Sequence, residues 1–217
     1  MLKLLIVDDH DLVRTGLKAI LDGVGDMKVV AEADSGEAAI QLNRKHAPDI
    51  ILMDLGLPGL SGLETSERIL KSTPDVRLII LTAHSEPPLP ARLLDLGAHG
   101  YLTKACPADE LIGAIRAVAR GERYVAAAVA QQLALSLLPG NRQSPFQELT
   151  ARELEVAMML TQGMDTKAIG KVLKVAPKTV ATYKYRVYDK VGVRSEVELL
   201  RKALEYGLVN AGPASVG

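Results

Sequence analysis

Five polar side chains follow apolar segments in the first half of the chain, and their types suit chemistry at a hard cation. An acidic pair follows KLLIV, a lone aspartate follows IILM, and a hydroxyl and an ammonium end two later segments: Asp8, Asp9, Asp54, Thr82 and Lys104. If these segments are parallel strands, their carboxyl ends meet at one sheet edge. Three carboxylates gathered there repel one another unless a cation is present. Because Mg²⁺ prefers oxygen ligands, the sequence predicts a magnesium site.

Asp54 is the predicted nucleophile of this site. It ends the central predicted strand, and the loop after it, LGLPG, contains glycines that allow close backbone approach. An aspartate beside Mg²⁺ can attack a phosphoryl group and form an aspartyl phosphate. The metal and Lys104 would then neutralise phosphoryl oxygens, and the hydroxyl of Thr82 would serve one more oxygen.

The segments that position these residues alternate between strand and helix patterns. Short apolar runs predict strands at Lys3–Val7, Val29–Ala33, Ile50–Met53, Leu78–Thr82 and Gly100–Thr103. Amphipathic stretches with helical spacing lie between them. Apolar strands that alternate with helices predict an α/β unit with a parallel sheet covered on both faces.

The remainder of the chain has a helical pattern without strands. Predicted helices lie at Val125–Leu138, Ala151–Gln162, Thr166–Leu173, Lys178–Val191 and Glu196–Tyr206. Thr150 and Glu153 have the spacing of a capping box at the start of the second of these helices. The third and fourth helices, joined by a short turn, have the layout of a helix-turn-helix.

The fourth predicted helix carries cations and hydrogen-bonding groups on its exposed side. On a helical wheel its valines point inward, and the outer side carries Lys178, Thr179, Thr182, Tyr185 and Arg186. The first residues of a recognition helix read base edges in the major groove, and its N-terminus can hold a phosphate. Lys184 falls near the buried side of the wheel, and we expect its long side chain to reach toward a phosphate.

Composition favours an intracellular protein with an aliphatic core. The 217 residues are 48% hydrophobic, with no Trp and one Phe. Cys106 is the single cysteine and cannot form an internal disulfide, which indicates a reducing cytoplasm. The opening run MLKLLIVDD is too short for a secretion signal or a membrane span. The formal net charge of zero combines an acidic first half with a basic end, which suits one module that holds a cation and another that meets a polyanion.

Four motifs resemble the receiver domain of bacterial response regulators: LLIVDDHDLVRTGL, DIILMDLGLPGLSGLE, LIILTAH and GAHGYLTKA. The resemblance implies a flavodoxin-like (βα)5 fold with sheet order 2-1-3-4-5 and Asp54 as the phosphoacceptor. It places Mg²⁺ among Asp8, Asp9, Asp54 and the carbonyl oxygen of Gly56.

The same resemblance implies that Thr82 and Lys104 sense the phosphoryl group. Tyr101 resembles the switch aromatic of the family, which moves inward with the hydroxyl residue; an ordinary half-buried strand tyrosine is the alternative. The chain departs from many receivers at Ala105 and Cys106, where a proline would directly follow the lysine.

The segment LTARELEVAMMLTQGMDTKAIGKVLKVAPKTVATYKYRVYDKVGV resembles the LuxR-type DNA-binding domain, an all-α four-helix module. A receiver followed by this module is typical of NarL/FixJ-class regulators. Within that class, SPFQEL, ARLLDLGAHGYLTKA and TYKYR resemble the GacA/UvrY group. This resemblance implies a membrane hybrid sensor histidine kinase of the GacS/BarA type as partner, and promoters of small regulatory RNAs as targets. Tyr183 is among the predicted DNA contacts, although many NarL/FixJ-class members have His at this position.

We expect four parts along the chain: a receiver at 1–121, a linker helix and exposed linker at 122–147, a DNA-binding domain at 148–211 and a flexible tail at 212–217. The exposed linker is NRQSP, at Asn141–Pro145. Our hypothesis is that the unphosphorylated receiver covers or misorients the DNA-binding helices, and that phosphorylation releases them to pair. Glu196–Tyr206 is the candidate contact of the active homodimer on double-stranded DNA. We expect no direct binding to membranes.

Two other functions fit parts of the pattern. A phosphatase or phosphotransferase also uses an aspartyl nucleophile, but haloacid-dehalogenase-type enzymes need Asp-x-Asp after the first strand, and here Asp8 and Asp9 are adjacent. The helical end could instead bind protein or RNA. Steady turnover of a phosphomonoester would indicate the first function, and a salt-dependent shift of promoter DNA would exclude the second.

Overall fold

The computed structural model describes residues 1–83, 89–136, 144–206 and 208–209. The chain forms two compact units, one built mainly from residues 1–133 and the other mainly from residues 134–217. Most of the predicted linker at Asn141–Pro145 and the whole predicted tail at 212–217 lie outside the described residues.

The first unit is built around a parallel sheet of six strands. They are β1 (Leu2–Val7), β2 (Met27–Ala33), β3 (Ile50–Met53), β4 (Arg77–Thr82), β5 (Gly100–Thr103) and β6 (Tyr124–Val125). Their spatial order is β2-β1-β3-β4-β5-β6, with every pair parallel. The predicted flavodoxin-like α/β fold with order 2-1-3-4-5 is therefore confirmed, and β6 adds an edge strand that was not predicted.

Helices follow the strands along the chain. They are α1 (Asp11–Asp22), α2 (Gly36–His46), α3 (Gly62–Ser72), α4 (Leu89–Asp95), α5 (Ala108–Ala119) and α6 (Ala127–Ser136). Alternate strand residues such as Ile6, Leu52 and Leu81 share one buried cluster with Leu21 of α1 and Ile115 of α5. The residues between them, including all of β3, are buried too, because helices cover both faces of a parallel sheet. Each fully buried Leu or Ile contributes about 1.5–3 kcal/mol.

The sixth strand begins in the segment predicted to be a linker. Tyr124 and Val125 pair with Gly100 and Tyr101 of β5, and the NH of Ala126 donates to the carbonyl of Tyr101 at 3.0 Å. Because this strand has two residues, it carries no alternation by which a sequence could reveal it. It attaches the start of α6 to the sheet edge.

The second unit is helical. It contains a 3₁₀ turn at Pro145–Glu148 and then α7 (Ala151–Thr161), α8 (Thr166–Val172), α9 (Pro177–Val191) and α10 (Glu196–Glu205). Among its described residues the interior is aliphatic apart from the ring of Phe146, and its fully buried side chains also include those of Leu154, Val180, Val187 and Leu199. The predicted all-α four-helix architecture is confirmed.

Side chains fix where these helices begin. The Thr150 hydroxyl accepts from the NH of Glu153, and the Glu153 carboxylate accepts from the NH of Thr150, so the predicted capping box is present. Asp165 caps α8 by accepting from the NH of Ala168. Ser195 caps α10 by accepting from the NH of Glu198.

The turn between α8 and α9 depends on a close backbone approach. The NH of Val175 donates to the carbonyl of Gly170 at 2.9 Å, and a Cβ on Gly170 would lie 2.8 Å from the carbonyl oxygen of Val175. Lys174 takes a positive φ of 51° in the same turn. The two helices therefore keep the tight connection of a helix-turn-helix.

An ion pair between an exposed lysine and a buried glutamate joins α7 to α9. The ammonium of Lys190 lies 2.6 Å from Oε2 of Glu153, which is 2% exposed. Burial alone would raise the pKa of Glu153, but hydrogen bonds from Lys190 and Thr150 outweigh it and hold the pKa below its ordinary value. Glu153 therefore stays ionised at neutral pH, and its contact with Lys190 ties the predicted recognition helix to the rest of its unit.

Candidate functional sites

The carboxyl ends of β1 and β3 bring two of the predicted aspartates together. Val7 pairs with Met53, so the residues that follow them, Asp8 and Asp54, leave the sheet side by side. The NH of Asp54 donates to the carbonyl of Val7 at 2.8 Å. Asp8 and Asp54 are only 2% and 4% exposed. Two buried carboxylates at this range require a compensating cation.

Lys104, directly after β5, supplies one such charge. Its Nζ lies 2.6 Å from Oδ2 of Asp8 and 2.7 Å from Oδ2 of Asp54. Burial alone would lower the pKa of Lys104, but the hydrogen bonds and charges of the two carboxylates outweigh burial and raise the pKa. The ammonium is therefore an internal counter-ion of the pocket at neutral pH.

Three further residues, Asp9, His10 and Arg14, lie beside Asp8. Asp9 is partly exposed, and its Oδ1 lies 2.8 Å from Nδ1 of His10. The same ring nitrogen lies 3.1 Å from Oδ1 of Asp8, and the NH of His10 donates to that oxygen at 3.0 Å. The guanidinium of Arg14 donates to the Asp8 carbonyl at 2.7 Å. The contacts from His10 hold Oδ1 of the Asp8 carboxylate, and Arg14 holds the main chain of Asp8.

The oxygen-rich donor set fits Mg²⁺. One ligand atom from each of Asp8, Asp9, His10 and Asp54 lies within 4.8 Å of the others. Three carboxylates suit a hard divalent cation, and water molecules can complete its shell. Gly56 adjoins this set, because a Cβ there would lie 3.4 Å from Oδ2 of Asp54, and its carbonyl stays a predicted ligand.

The loop after β3 holds the Asp54 carboxylate by its other oxygen. The NH of Leu55 donates to Oδ1 of Asp54 at 2.8 Å, which leaves Oδ2 toward Lys104. The start of α3 presses on the same backbone: a Cβ on Gly62 would overlap the carbonyl of Asp54 and lie 2.6 Å from Cα of Leu55. A glycine at 62 is therefore needed for this loop to close.

The predicted phosphoryl-sensing residues lie on the two strands beside the pocket. Thr82 ends β4 opposite Thr103, is fully buried, and its carbonyl accepts from the NH of Lys104 at 2.9 Å. Tyr101 lies three residues before Lys104 on β5 and is also fully buried. The structure therefore corrects the half-buried position that was considered for Tyr101, since its whole side chain is inside.

The predicted nucleic-acid face of α9 divides into exposed and half-buried residues. The exposed residues are Lys178, Thr179, Thr182, Tyr185 and Arg186, and the half-buried ones are Tyr183 and Lys184. Tyr185 is 70% exposed, although tyrosine is a large and partly apolar side chain. Val180 and Val187 are fully buried on the opposite side, as the helical wheel predicts. The helix therefore presents cations, hydroxyls and an open aromatic ring outward.

Known proteins share both halves of this arrangement. The family model described as response regulator receiver domain matches residues 4–116, and the model described as bacterial regulatory proteins, luxR family, matches residues 147–203. The response regulator UvrY of Escherichia coli K12 is 45% identical over 212 residues, which cover 97% of each chain. The chain is a two-component response regulator of the LuxR family.

Two more comparisons agree with this membership. The response regulator GacA of Pseudomonas aeruginosa PAO1 is 43% identical over 212 residues, covering 97% of this regulator and 99% of that protein. A solved structure described as two RcsB dimers bound to two parallel DNAs is 25% identical with a TM-score of 0.59, covering 94% of this chain and 98% of that one. The predicted NarL/FixJ-class, GacA/UvrY-like identity is confirmed.

Two residues of the regulator's sites were not predicted in the roles that the structure gives them. His10 joins the acidic cluster, and the only sequence signal for it is its position directly after Asp8 and Asp9. Lys184 directs its ammonium to the carboxylate of Glu196 in α10, and no spacing rule joins these two residues across a turn between helices. Among the described helices, none is both long and apolar enough to cross a membrane.

Proposed function

We propose that phosphorylation of Asp54 by a sensor histidine kinase makes this regulator bind promoter DNA as a homodimer and change transcription. The observation that carries the proposal is the Asp54 carboxylate, held by the NH of Leu55 on one oxygen and by Lys104 on the other, beside two more carboxylates. In a response regulator with a LuxR-type domain, such a pocket has the groups that phosphoryl transfer to an aspartate requires.

In the proposed reaction, a carboxylate oxygen of Asp54 attacks the phosphorus atom of a phosphohistidine. The new bond is O–P, the broken bond is P–N, and the leaving imidazole takes up a proton from solvent. Bound Mg²⁺ would supply positive charge to the phosphoryl oxygens. Lys104 neutralises part of the added negative charge, and Thr82 and Tyr101 respond to the new group.

We propose that the exposed side of α9 enters the major groove. Lys178, Thr179, Thr182, Tyr183, Tyr185 and Arg186 are the proposed contact residues, whereas Lys184, which the sequence also predicted to contact DNA, holds its ammonium on Glu196. Lys178 and Thr179 lie at the start of the helix, where backbone NH groups also favour a phosphate. Thr182 donates to the carbonyl of Lys178 at 3.1 Å and can turn its hydroxyl to a base edge.

We propose α10 as the contact between two copies on DNA. Val197 is 78% exposed, and Leu200 and Leu204 are 39% and 41% exposed. These residues recur at intervals of three and four, so they form one apolar stripe along the helix. The solved RcsB structure is described as dimers on DNA, which supports a dimer here. A two-fold dimer would meet two half-sites about one helical turn apart or more.

The partners follow from the likeness to UvrY and GacA. We propose a membrane hybrid sensor histidine kinase of the GacS/BarA type as phosphodonor, and genes of small regulatory RNAs as targets. The kinase provides the membrane component, so we assign no direct membrane binding to the regulator and place it in the cytoplasm. The unphosphorylated receiver is proposed to restrain the DNA-binding helices.

The test begins with radiolabelled acetyl phosphate and Mg²⁺, which transfers its phosphoryl group to the carboxylate as acetate leaves. We expect the native regulator to take up label and Asp54→Ala to take up none, with Asp75→Ala, an exposed aspartate, as the matched control. Treated native protein should then retard promoter DNA more strongly than Asp54→Ala. Equal retardation by both proteins would refute the coupling, and steady release of phosphate from a phosphomonoester would indicate an enzyme instead. Binding of RNA or protein without duplex DNA would refute the proposed output.

A further inference from the structure

Two lysines connect α9 and α10 in opposite directions. Lys184, in the middle of α9, directs its ammonium to Oε1 of Glu196 in the first turn of α10. Lys202, late in α10, donates from Nζ to the carbonyl of Val191, the last residue of α9, at 2.6 Å. One contact therefore links the start of α10 to the middle of α9, and the other links the later part of α10 to the end of α9.

The surroundings of Lys184 differ from those of Lys178 and Arg186 on the same helix. Its side chain is 24% exposed, and its ammonium lies 5.5 Å from the centroid of the Tyr188 ring as well as on Glu196. The hydrogen bond that Lys184 donates to Glu196 raises the pKa of Lys184, so its ammonium stays charged at neutral pH. Lys178 and Arg186 are exposed and make no ion pair with any residue that the structure describes. Of Lys178, Lys184 and Arg186, Lys184 is therefore the cation that is already bound to a carboxylate.

The two connected helices carry different surfaces. α9 presents the groups proposed to contact DNA, and α10 presents the apolar stripe of Val197, Leu200 and Leu204. Glu196 directly precedes this stripe in sequence and lies one turn before Leu200. The bond between Lys184 and Glu196 therefore joins the reading surface to the edge of the proposed dimer surface.

We infer that Lys184 and Glu196 are positioning residues that fix the angle between the reading helix and the dimer helix, and so set the distance between the two half-sites that a homodimer recognises. This inference rests on the proposed function, because it needs a DNA-bound dimer. In a two-fold dimer each copy contributes one such pair, and a change of angle is applied twice. Half-site sequence is read by the outer residues of α9 and is independent of the pair.

The test uses the full-length regulator, treated with acetyl phosphate and Mg²⁺, and a pool of duplex DNA with a random central region. Bound duplexes are selected and sequenced for the native protein, Lys184→Met, Glu196→Gln, Lys184→Arg and the exchanged pair Lys184→Glu with Glu196→Lys. The two readouts are the half-site sequence and the distribution of distances between half-sites. Loss of thermal stability alone would alter neither readout, and melting curves of each variant identify any that are unfolded.

We expect native protein and Lys184→Arg to select one spacing. Lys184→Met and Glu196→Gln should select the same half-site sequence at several spacings, and the exchanged pair should restore a narrow distribution. Since an exposed pair changes an equilibrium constant by up to about fivefold, two symmetric pairs should lower the preference for the native spacing by up to about 25-fold.

Three results would overturn the inference. Retention of one spacing by Lys184→Met would show that the pair does not set the geometry. Lys184→Met could instead reduce the salt dependence of DNA binding by about one phosphate contact per copy, while Glu196→Gln binds DNA more tightly. These two results together would make Lys184 a phosphate contact that Glu196 withholds from DNA. A changed half-site sequence would make Lys184 a base-reading residue. If the phosphorylated native regulator selects no sequence at all, the proposed DNA-binding function itself fails.

Discussion

Replacing Lys104 with methionine should destabilise the receiver strongly when magnesium is absent. Methionine keeps most of the volume and the apolar stem of lysine but removes the ammonium, which lies 2.6 Å and 2.7 Å from the carboxylates of Asp8 and Asp54. These carboxylates are nearly inaccessible to water, so the variant keeps two buried like charges without their counter-ion. Magnesium can replace the missing charge, and the effect should therefore depend on the metal.

The structure sets the size of the effect. Breaking a buried ion pair by removing one partner costs about 3–5 kcal/mol. The Lys104 side chain is 19% exposed, so some solvent screening remains, and we expect about 3 kcal/mol. For a unit of this size, that corresponds to a fall in melting temperature of roughly 10 °C. Magnesium at a hundredfold excess over its Kd stabilises by about 2.7 kcal/mol, which would offset most of the loss.

The assay is thermal unfolding of the full-length native protein, Lys104→Met and Lys45→Met, measured in chelator and again with excess Mg²⁺. Lys45 is exposed on α2 and serves as the matched control. We expect Mg²⁺ to raise the melting temperature of Lys104→Met by more than that of the native protein, because no ammonium competes for Asp8 and Asp54. A variant as stable as the control in chelator would refute the counter-ion role of Lys104. An equal response of all three proteins to Mg²⁺ would refute the competition between lysine and metal.

Three further outcomes are expected from unfolding measurements. Because the folded-state pKa of Glu153 is lowered, its carboxylate stabilises the folded protein above the unfolded-state pKa near 4.5, and this stabilisation is lost as pH falls through the folded-state pKa. Glu153→Gln should lower the free energy of unfolding by about 2 kcal/mol at pH 7 and make it depend less on pH, as measured in pH titrations of stability. Gly62→Ala should destabilise by about 1–3 kcal/mol and reduce phosphorylation, whereas Gly16→Ala, with open space around it, should stabilise by up to about 1 kcal/mol in the same denaturant series. Gly170→Ala should destabilise the helical unit by about 1–3 kcal/mol and weaken DNA retardation, and an unchanged midpoint would contradict the tight turn between α8 and α9.

The parallel sheet could be predicted from the sequence because the pattern that indicates each strand is local and recurs along the chain. Each predicted strand is an apolar run that ends at a polar residue, and the parallel topology then places Asp8, Asp54 and Lys104 at one edge without further information. The capping box at Thr150 and Glu153 is likewise a spacing rule, and it is present. Such features depend on a few neighbouring residues, so the chain does not need to be folded for them to be recognised.

The features that were not predicted depend on residues that are distant in sequence but close together in the folded chain. A two-residue strand such as β6 has no period and exists because the edge of β5 offers it hydrogen-bonding partners. The contact of Lys190 with Glu153 spans 37 positions, and its direction is visible only after α7 and α9 are packed. For Lys184, the helical wheel indicated a partly buried side chain but gave no partner, because Glu196 belongs to another helix.

Backbone contacts connect the acidic pocket to the chain that leaves the receiver. Phosphorylation would replace the single charge of the Asp54 carboxylate by about two negative charges, so the ammonium of Lys104 would meet a new distribution of charge. Lys104 is bonded through its NH to the carbonyl of Thr82, and β5 runs directly from Lys104 back to Tyr101. The carbonyl of Tyr101 in turn accepts from the NH of Ala126, where β6 passes into α6. A displacement of β5 at the pocket would therefore act on the first residues after the receiver, which gives the proposed coupling a physical path through the unpredicted strand.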